Sequence, residues 1–143
     1  MTETILEKSI LLQATPDDVW AYLTQPDKMA EWFHAPRTPL REGEAFECIS
    51  AQSGERVIWG TVTTARAPEL LIYTFTVEPM GDASSTVTWE LTAVPGGTRL
   101  HLRHEGLPQG EAAFGLFLAL DKGWDEHLGR MRSHLHAEAE AAA

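Results

Sequence analysis

Residues 111–140, EAAFGLFLALDKGWDEHLGRMRSHLHAEAE, decide the fold. They contain no proline, and their apolar residues recur at helical rather than strand spacing. At about 100° per residue, Phe117, Leu120, Trp124, Leu128, Met131 and Leu135 share one face, with Lys122, Asp125, Glu126 and Arg132 on the flanks and back. At about 1.5 Å rise per residue such a helix spans roughly 40 Å. That is enough to cross a whole sheet, so the preceding chain is expected to supply one. Gly115, Gly123 and Gly129 each disfavour the helix by about 1 kcal/mol against alanine. A close approach of another backbone, or a bend, is expected to compensate. Asp121 projects within roughly 50° of the apolar centre, and two readings stay open for it: a carboxyl group facing inward, or one at the edge reaching water.

A chain of 143 residues is sized for one domain, residues 1–143, with no room for a second. No window approaches the 18 or so apolar residues of a membrane span. The first twelve residues lack the basic start and apolar run of a secretion signal, which makes the cytoplasm the expected location. Cys48 is the only cysteine, which excludes an intramolecular disulfide and a cysteine-rich metal site; in an apparent strand it reads as a small buried hydrophobe. A net charge of −10, with Lys and Arg scattered, argues against nucleic acid and against anionic lipid surfaces, while leaving room for a basic protein partner.

Residues 4–12 read as a first strand. Thr15-Pro16-Asp17-Asp18 then supplies a capping hydroxyl, a proline at the first helical position and a carboxylate three residues after the cap. Gln25-Pro26 ends that helix, and Asp27 is expected to cap a second one running to Phe33. The prolines Pro36 and Pro39 force an irregular connection. Trp32 and Phe33, adjacent and 100° apart, do not share one core on a short helix, so two readings remain: one ring lines an opening or a subunit contact, or both pack on different neighbours. From residue 44 to 105 the period changes to two, with strands expected at 44–51, 56–65, 70–77, 85–93 and 98–105, each antiparallel to the next. With the first strand the sheet has six. Val87, Trp89, Leu91, Leu100 and Leu102 form a dry face, and Leu71, Tyr73, Phe75 and Val77 are assigned to the core. Around Trp59 the two faces are not separable. Pro95-Gly96-Gly97 reads as a hairpin turn, and the Ala/Glu-rich tail, 134–143, as helix fraying into solvent.

The order strand, two short helices, five strands, long helix resembles the START-like (SRPBCC) helix-grip superfamily that includes the birch-pollen allergens. Four stretches carry a closer similarity: ATPDDVW at 14–20, EWFHAP at 31–36, GTRL at 97–100 leading to HEGL at 104–107, and GWDEHL at 123–128. They resemble the family related to the C-terminal domain of the activator of the heat-shock chaperone ATPase. The resemblance implies an α+β fold, a curved antiparallel sheet gripping the long helix, and a cavity between them that in many members takes a hydrophobic small molecule. Members of the superfamily also include polyketide cyclases and chaperone activators, and a fold transfers architecture rather than chemistry. The charged N-terminal domain of eukaryotic chaperone activators is absent from these residues, which weighs against direct ATPase activation.

The ligand-binding residues expected on this basis are Trp59, Tyr73, Phe75, Trp89, His104, Phe117, Asp121, Trp124 and Leu128. The expected partner is a lipid-, polyketide- or aromatic-like molecule held by a carrier or sensor without catalysis. A homodimer is compatible with the sequence, and a chaperone partner has no support in it. No metal or other cofactor is expected: His127, His134 and His136 lack the spacing of zinc-binding helices, and no phosphate loop or nucleophile elbow occurs. Were the protein an enzyme, the form would be cyclase-like acid-base steering by His104, Asp121 or Tyr73. For His104 a strand-end histidine bonded to a neighbouring loop is the favoured alternative.

Overall fold

The computed structural model describes residues 5–142. Seven strands form one fully antiparallel sheet: β1 Leu6–Leu12, β2 Ala35–Pro36, β3 Ala45–Ile49, β4 Arg56–Arg66, β5 Leu70–Phe75, β6 Ser85–Val94 and β7 Gly97–Glu105. Their order across the sheet is β1-β7-β6-β5-β4-β3-β2, a curved half-barrel wrapped around the C-terminal helix α3, Phe114–Ala142. The short helices α1, Pro16–Thr24, and α2, Pro26–Trp32, follow β1. The six expected strands are present with ends shifted by a residue or two, except that Thr4 lies outside the described residues. The seventh is the two-residue β2, which pairs Ala35 with Ile49 and Pro36 with Cys48 inside the segment expected to be irregular. Proline sits there because β2 is an edge, where its missing N–H breaks no ladder bond.

Local signals set the helix starts. The Thr15 hydroxyl accepts from the Asp18 amide at 3.2 Å, closing the cap of α1 over Pro16. The second helix starts two residues earlier than expected: Gln25 is its cap residue and Pro26 its first residue, so Asp27 lies inside the first turn. There its charge still complements the helix dipole. Residues 111–113 form a single 3-10 turn before α3 proper begins.

The concave face of the sheet carries the core. Leu71, Tyr73, Phe75, Val87, Trp89, Leu100 and Leu102 are buried against Phe117, Trp124, Leu128, Met131 and Leu135 of α3. On β4 the buried face is Ile58 and Val62, which resolves the face left open by the alternation. Gly60 on that strand has a plain steric reason, since a side chain there would overlap the Thr74 carbonyl across the β4–β5 pair.

Two expectations about α3 are corrected in part. A Cβ added at Gly115, Gly123 or Gly129 would meet nothing within 4 Å, so no second backbone approaches these positions. As far as Glu138 the tail is packed rather than loose in solvent: Leu135 is buried, the His136 Nε2 accepts from the Gln13 amide at 3.0 Å, and the Glu138 carboxylate accepts from the Tyr22 hydroxyl at 2.7 Å. Polar groups of the β1–α1 corner and α1 hold α3 down as far as Glu138, which composition alone does not reveal.

Candidate functional site

Between α3 and one end of the sheet lies a cavity of about 250 Å³. Val57, Ile58, Phe75 and Val77 supply its sheet side, and Ala119, Leu120, Gly123, Trp124 and His127 its helix side; Phe33 and His34, just past α2, close the third wall. Each element reaches the cavity for a local reason. On β4 the register skips Val57, since Arg56 pairs with Ile49 and Ile58 with Cys48, and this bulge turns two successive side chains to the same side. Phe33 is the residue that ends α2, and its non-helical backbone lets the ring fold back 5.0 Å from Trp32. Trp32 itself is buried, its indole N–H donating to the Tyr22 carbonyl at 2.7 Å. Of the two aromatics, Phe33 therefore lines the opening. Gly123 leaves space where any side chain would intrude.

The wall is largely aromatic. Phe33 stacks on Trp124 with ring centroids 5.5 Å apart and planes 12° from parallel, and His127 stands edge-on to Phe33 at 4.9 Å. The His34 and His127 rings lie 5.8 Å apart. Burial pushes His127 down to about 4, with the nearby Arg130 charge acting the same way, and the same two causes lower His34. Both rings are neutral at ordinary pH.

Of the nine residues expected at a ligand, the cavity wall includes Phe75 and Trp124 only. Tyr73, Trp89, His104, Phe117 and Leu128 are buried in the packed core beside it. The Trp89 indole donates to the Tyr73 hydroxyl at 3.0 Å, and burial raises the Tyr73 pKa, so that phenol holds its proton. His104 lies at the end of β7 as expected, but its partners are not in a loop: Ser85 of β6 and Trp124 of α3 hold it at both nitrogens, with no solvent exposure. Asp121 lies outside, 47% exposed, 2.8 Å from the Lys8 ammonium, which also reaches Asp125 at 2.9 Å. Burial alone would lower the Lys8 pKa, but hydrogen bonds and charges from the two carboxylates outweigh it and raise it. Trp59 points away from the core, under the Arg56 guanidinium at 4.0 Å. It borders a different, open cleft of about 640 Å³, where Glu47, Glu55, Glu78 and Asp82 make the lining charged. That cleft is larger but unsuited to an apolar molecule.

Sequence reasoning missed His34, His127, Val57 and Gly123 as wall residues. His127 was within reach, since it follows Trp124 by three positions on one helix face. The Val57 bulge had no signal in the alternation. Among the described residues no group of three or more His, Cys, Asp or Glu could hold a metal ion, and no helix is long and apolar enough to cross a membrane. Burial pushes the Cys48 thiol up to about 12, well away from a reactive thiolate.

The architecture recurs in solved structures. Protein MLL2253 from Mesorhizobium loti superposes with a TM-score of 0.80 at 25% identity, over 94% of this chain and 98% of that one. PFC0360w, an HSP90 activator from Plasmodium falciparum, gives 0.78 at 20% identity, over 92% and 96%. DynU16, from the dynemicin biosynthetic locus, gives 0.80 at 20% identity over 94% of this chain, which spans only 48% of DynU16. No curated protein sequence matches. The sequence profile described as activator of Hsp90 ATPase homolog 1-like protein matches residues 13–136, which include the capped first helix, the Phe33-His34 wall and the Gly123-Trp124 helix face. With nearly the whole helix-grip domain inside that match, the chain belongs to the family of activator of Hsp90 ATPase homolog 1-like proteins.

Proposed function

We propose that this domain binds a small hydrophobic molecule between sheet and C-terminal helix, as a carrier or sensor rather than a catalyst. One observation carries the reading: a cavity of about 250 Å³ with an apolar, aromatic wall persists beside a core that is otherwise filled. Such a wall with a few polar groups is what an apolar ligand requires. The residues suggested for acid-base steering do not support catalysis, because His104 is bonded at both nitrogens, Tyr73 is buried, and Asp121 is paired to Lys8 outside the cavity. Native mass spectrometry of the purified protein and a thermal-shift panel of lipids, flavonoids and polyketides test this reading. At a hundred times Kd a ligand stabilises by about 2.7 kcal/mol, a rise of roughly 8 °C for a domain of this size. A panel without any shift, and no retained mass, would refute the proposal.

Family membership favours a second reading, a cofactor of a chaperone ATPase, in keeping with the Plasmodium falciparum relative described as an HSP90 activator. Phe114 and Leu118, both more than half exposed at the start of α3, give this reading a surface to use. Stimulation of a purified chaperone ATPase by the wild type, lost in a Phe114→Ser, Leu118→Ser double variant, is its test.

A further inference from the structure

We infer that His127, Arg130 and the Trp32 carbonyl form an acid-sensitive latch on the cavity: a proton taken up by His127 ejects Arg130 from the end of α2, frees the Phe33–His34 wall and weakens the hold on an uncharged apolar ligand. This inference rests on the ligand-binding reading and adds the regulation of that site.

The neutral latch follows from three distances. The Trp32 carbonyl is the last of α2 and needs a donor. The His127 Nδ1 lies 2.9 Å from that oxygen, the Arg130 Nη2 lies 2.7 Å from Nδ1, and the Arg130 Nε reaches the oxygen at 3.4 Å. Guanidinium nitrogens only donate, so a proton on Nδ1 would set two donors 2.7 Å apart. With the proton on Nε2 instead, Nδ1 and the carbonyl are two neighbouring acceptors. One planar fork then serves both, as it serves the two oxygens of a carboxylate. Arg130 therefore joins α3 to the end of α2, one residue before Phe33.

Protonation breaks this arrangement. An imidazolium donates from both nitrogens, so Nδ1–H takes the Trp32 carbonyl for itself, and the guanidinium, now facing a donor and a like charge, has to leave. The surroundings set how readily this happens. Burial is the main cause that holds His127 low, at about 4; the bond to the Trp32 carbonyl and the Glu126 charge raise it, and Arg130 and His34 lower it. From the other packed elements, Glu31 of α2 is engaged by His134 at 3.5 Å, and His104 of β7 lies behind Trp124 with both nitrogens bonded. Val57, Ile58, Phe75 and Val77 on the sheet side carry no charge. The effect reaches the cavity through Phe33, whose ring has His127 edge-on at 4.9 Å and His34 at 5.3 Å. A proton on each histidine, their rings 5.8 Å apart, puts two charges against Phe33. An apolar ligand seated there strips water from those charges and returns no hydrogen bond, so ligand and proton compete.

The test is an NMR titration of the protein with naphthalene, which has no titrating group and suits a cavity of about 250 Å³, larger than the roughly 150 Å³ that accepts benzene. Spectra run from about pH 7 down to about pH 4. At the upper end the His127 ¹⁵N shifts should show a bare Nδ1 and a protonated Nε2, and the Arg130 Nε–H signal should move with the same midpoint as the imidazole. Naphthalene affinity should fall about twofold at that midpoint and about tenfold one pH unit below it, and saturating naphthalene should lower the midpoint itself. Arg130→Gln should raise the midpoint and speed naphthalene exchange, whereas His127→Gln, neutral throughout, should bind without that pH dependence. His127→Lys sets a permanent charge in the wall at about pH 7, away from acid unfolding, and should weaken naphthalene about tenfold or more with core shifts in place. A protonated Nδ1 at about pH 7, an Arg130 signal indifferent to the titration, or an affinity that ignores both pH and His127→Lys overturns the inference and leaves the cavity reading standing. Failure of naphthalene to bind at any pH overturns it too, and the lipophilic panel then decides the cavity reading separately.

Discussion

The Trp124 indole donates to the His104 Nδ1 at 3.0 Å, and this single bond fixes the state of the whole buried chain behind it. With Nδ1 accepting, Nε2 carries the proton and donates to the Ser85 hydroxyl at 2.7 Å, and Ser85 donates on to the Phe75 carbonyl at 2.8 Å. Every polar atom is used once, and α3 is joined to β7, β6 and β5 through one imidazole. His104→Ala is expected to lower unfolding free energy by about 3–5 kcal/mol, since it opens a cavity and strands two polar groups. Trp124→Phe keeps most of the packing and should cost about 1–3 kcal/mol. Urea denaturation of both variants checks the order; equal costs would contradict it.

The same network makes stability pH-dependent. Burial lowers the His104 pKa from 6.5 to about 4, so the unfolded chain binds more protons anywhere between those values. The stabilisation is fully present above about pH 6.5 and is lost as pH falls towards 4, on the order of 3 kcal/mol in all. His127 shifts in the same direction and adds a smaller part, being more open to solvent. Urea midpoints measured from about pH 7 down to about pH 5 should fall steadily, and a flat profile would show that His104 is not held neutral.

Lys8 sits 16% exposed between Asp121 and Asp125, which lie one helical turn apart on α3. Lys8→Met leaves two carboxylates facing each other and should destabilise by about 1 kcal/mol, less at high salt. Asp121→Asn should change stability by under about 1 kcal/mol and leave ligand affinity untouched. A loss of ligand affinity in Asp121→Asn would return that carboxyl group to the binding site.

The open space beside the helix glycines gives a prediction of the opposite sign. Gly115→Ala and Gly129→Ala should each stabilise by about 0.5–1 kcal/mol, because a Cβ meets nothing within 4 Å and the unfolded chain loses freedom. Gly123→Leu should preserve the fold while filling the cavity and abolishing binding. Gly60→Ala should instead destabilise by more than about 1 kcal/mol, through overlap with the Thr74 carbonyl. Thermal unfolding of the four variants, with ligand titration of the third, is sufficient.

By itself the sequence determined the order of elements and most of their faces. Thr15 and Pro16 start α1 through a bond three residues long, and the two-residue alternation of Val87, Trp89, Leu91, Leu100 and Leu102 is a property of the strand backbone. Such signals act over a few residues, so they survive without tertiary context. The apolar stripe on α3 was legible for the same reason. What the sequence did not contain was the difference between filling space and lining it. Tyr73, Trp89 and Phe75 alternate identically on two neighbouring strands, yet only Phe75 borders the cavity, because the Trp89–Tyr73 bond closes the core beside it. His34 and His127 come from distant parts of the chain and meet only when α2 ends against α3. The skipped residue at Val57 depends on how β3 and β4 settle into register. The cavity, and the neutral histidines in its wall, belong to the packing of whole elements on one another, which no local pattern encodes.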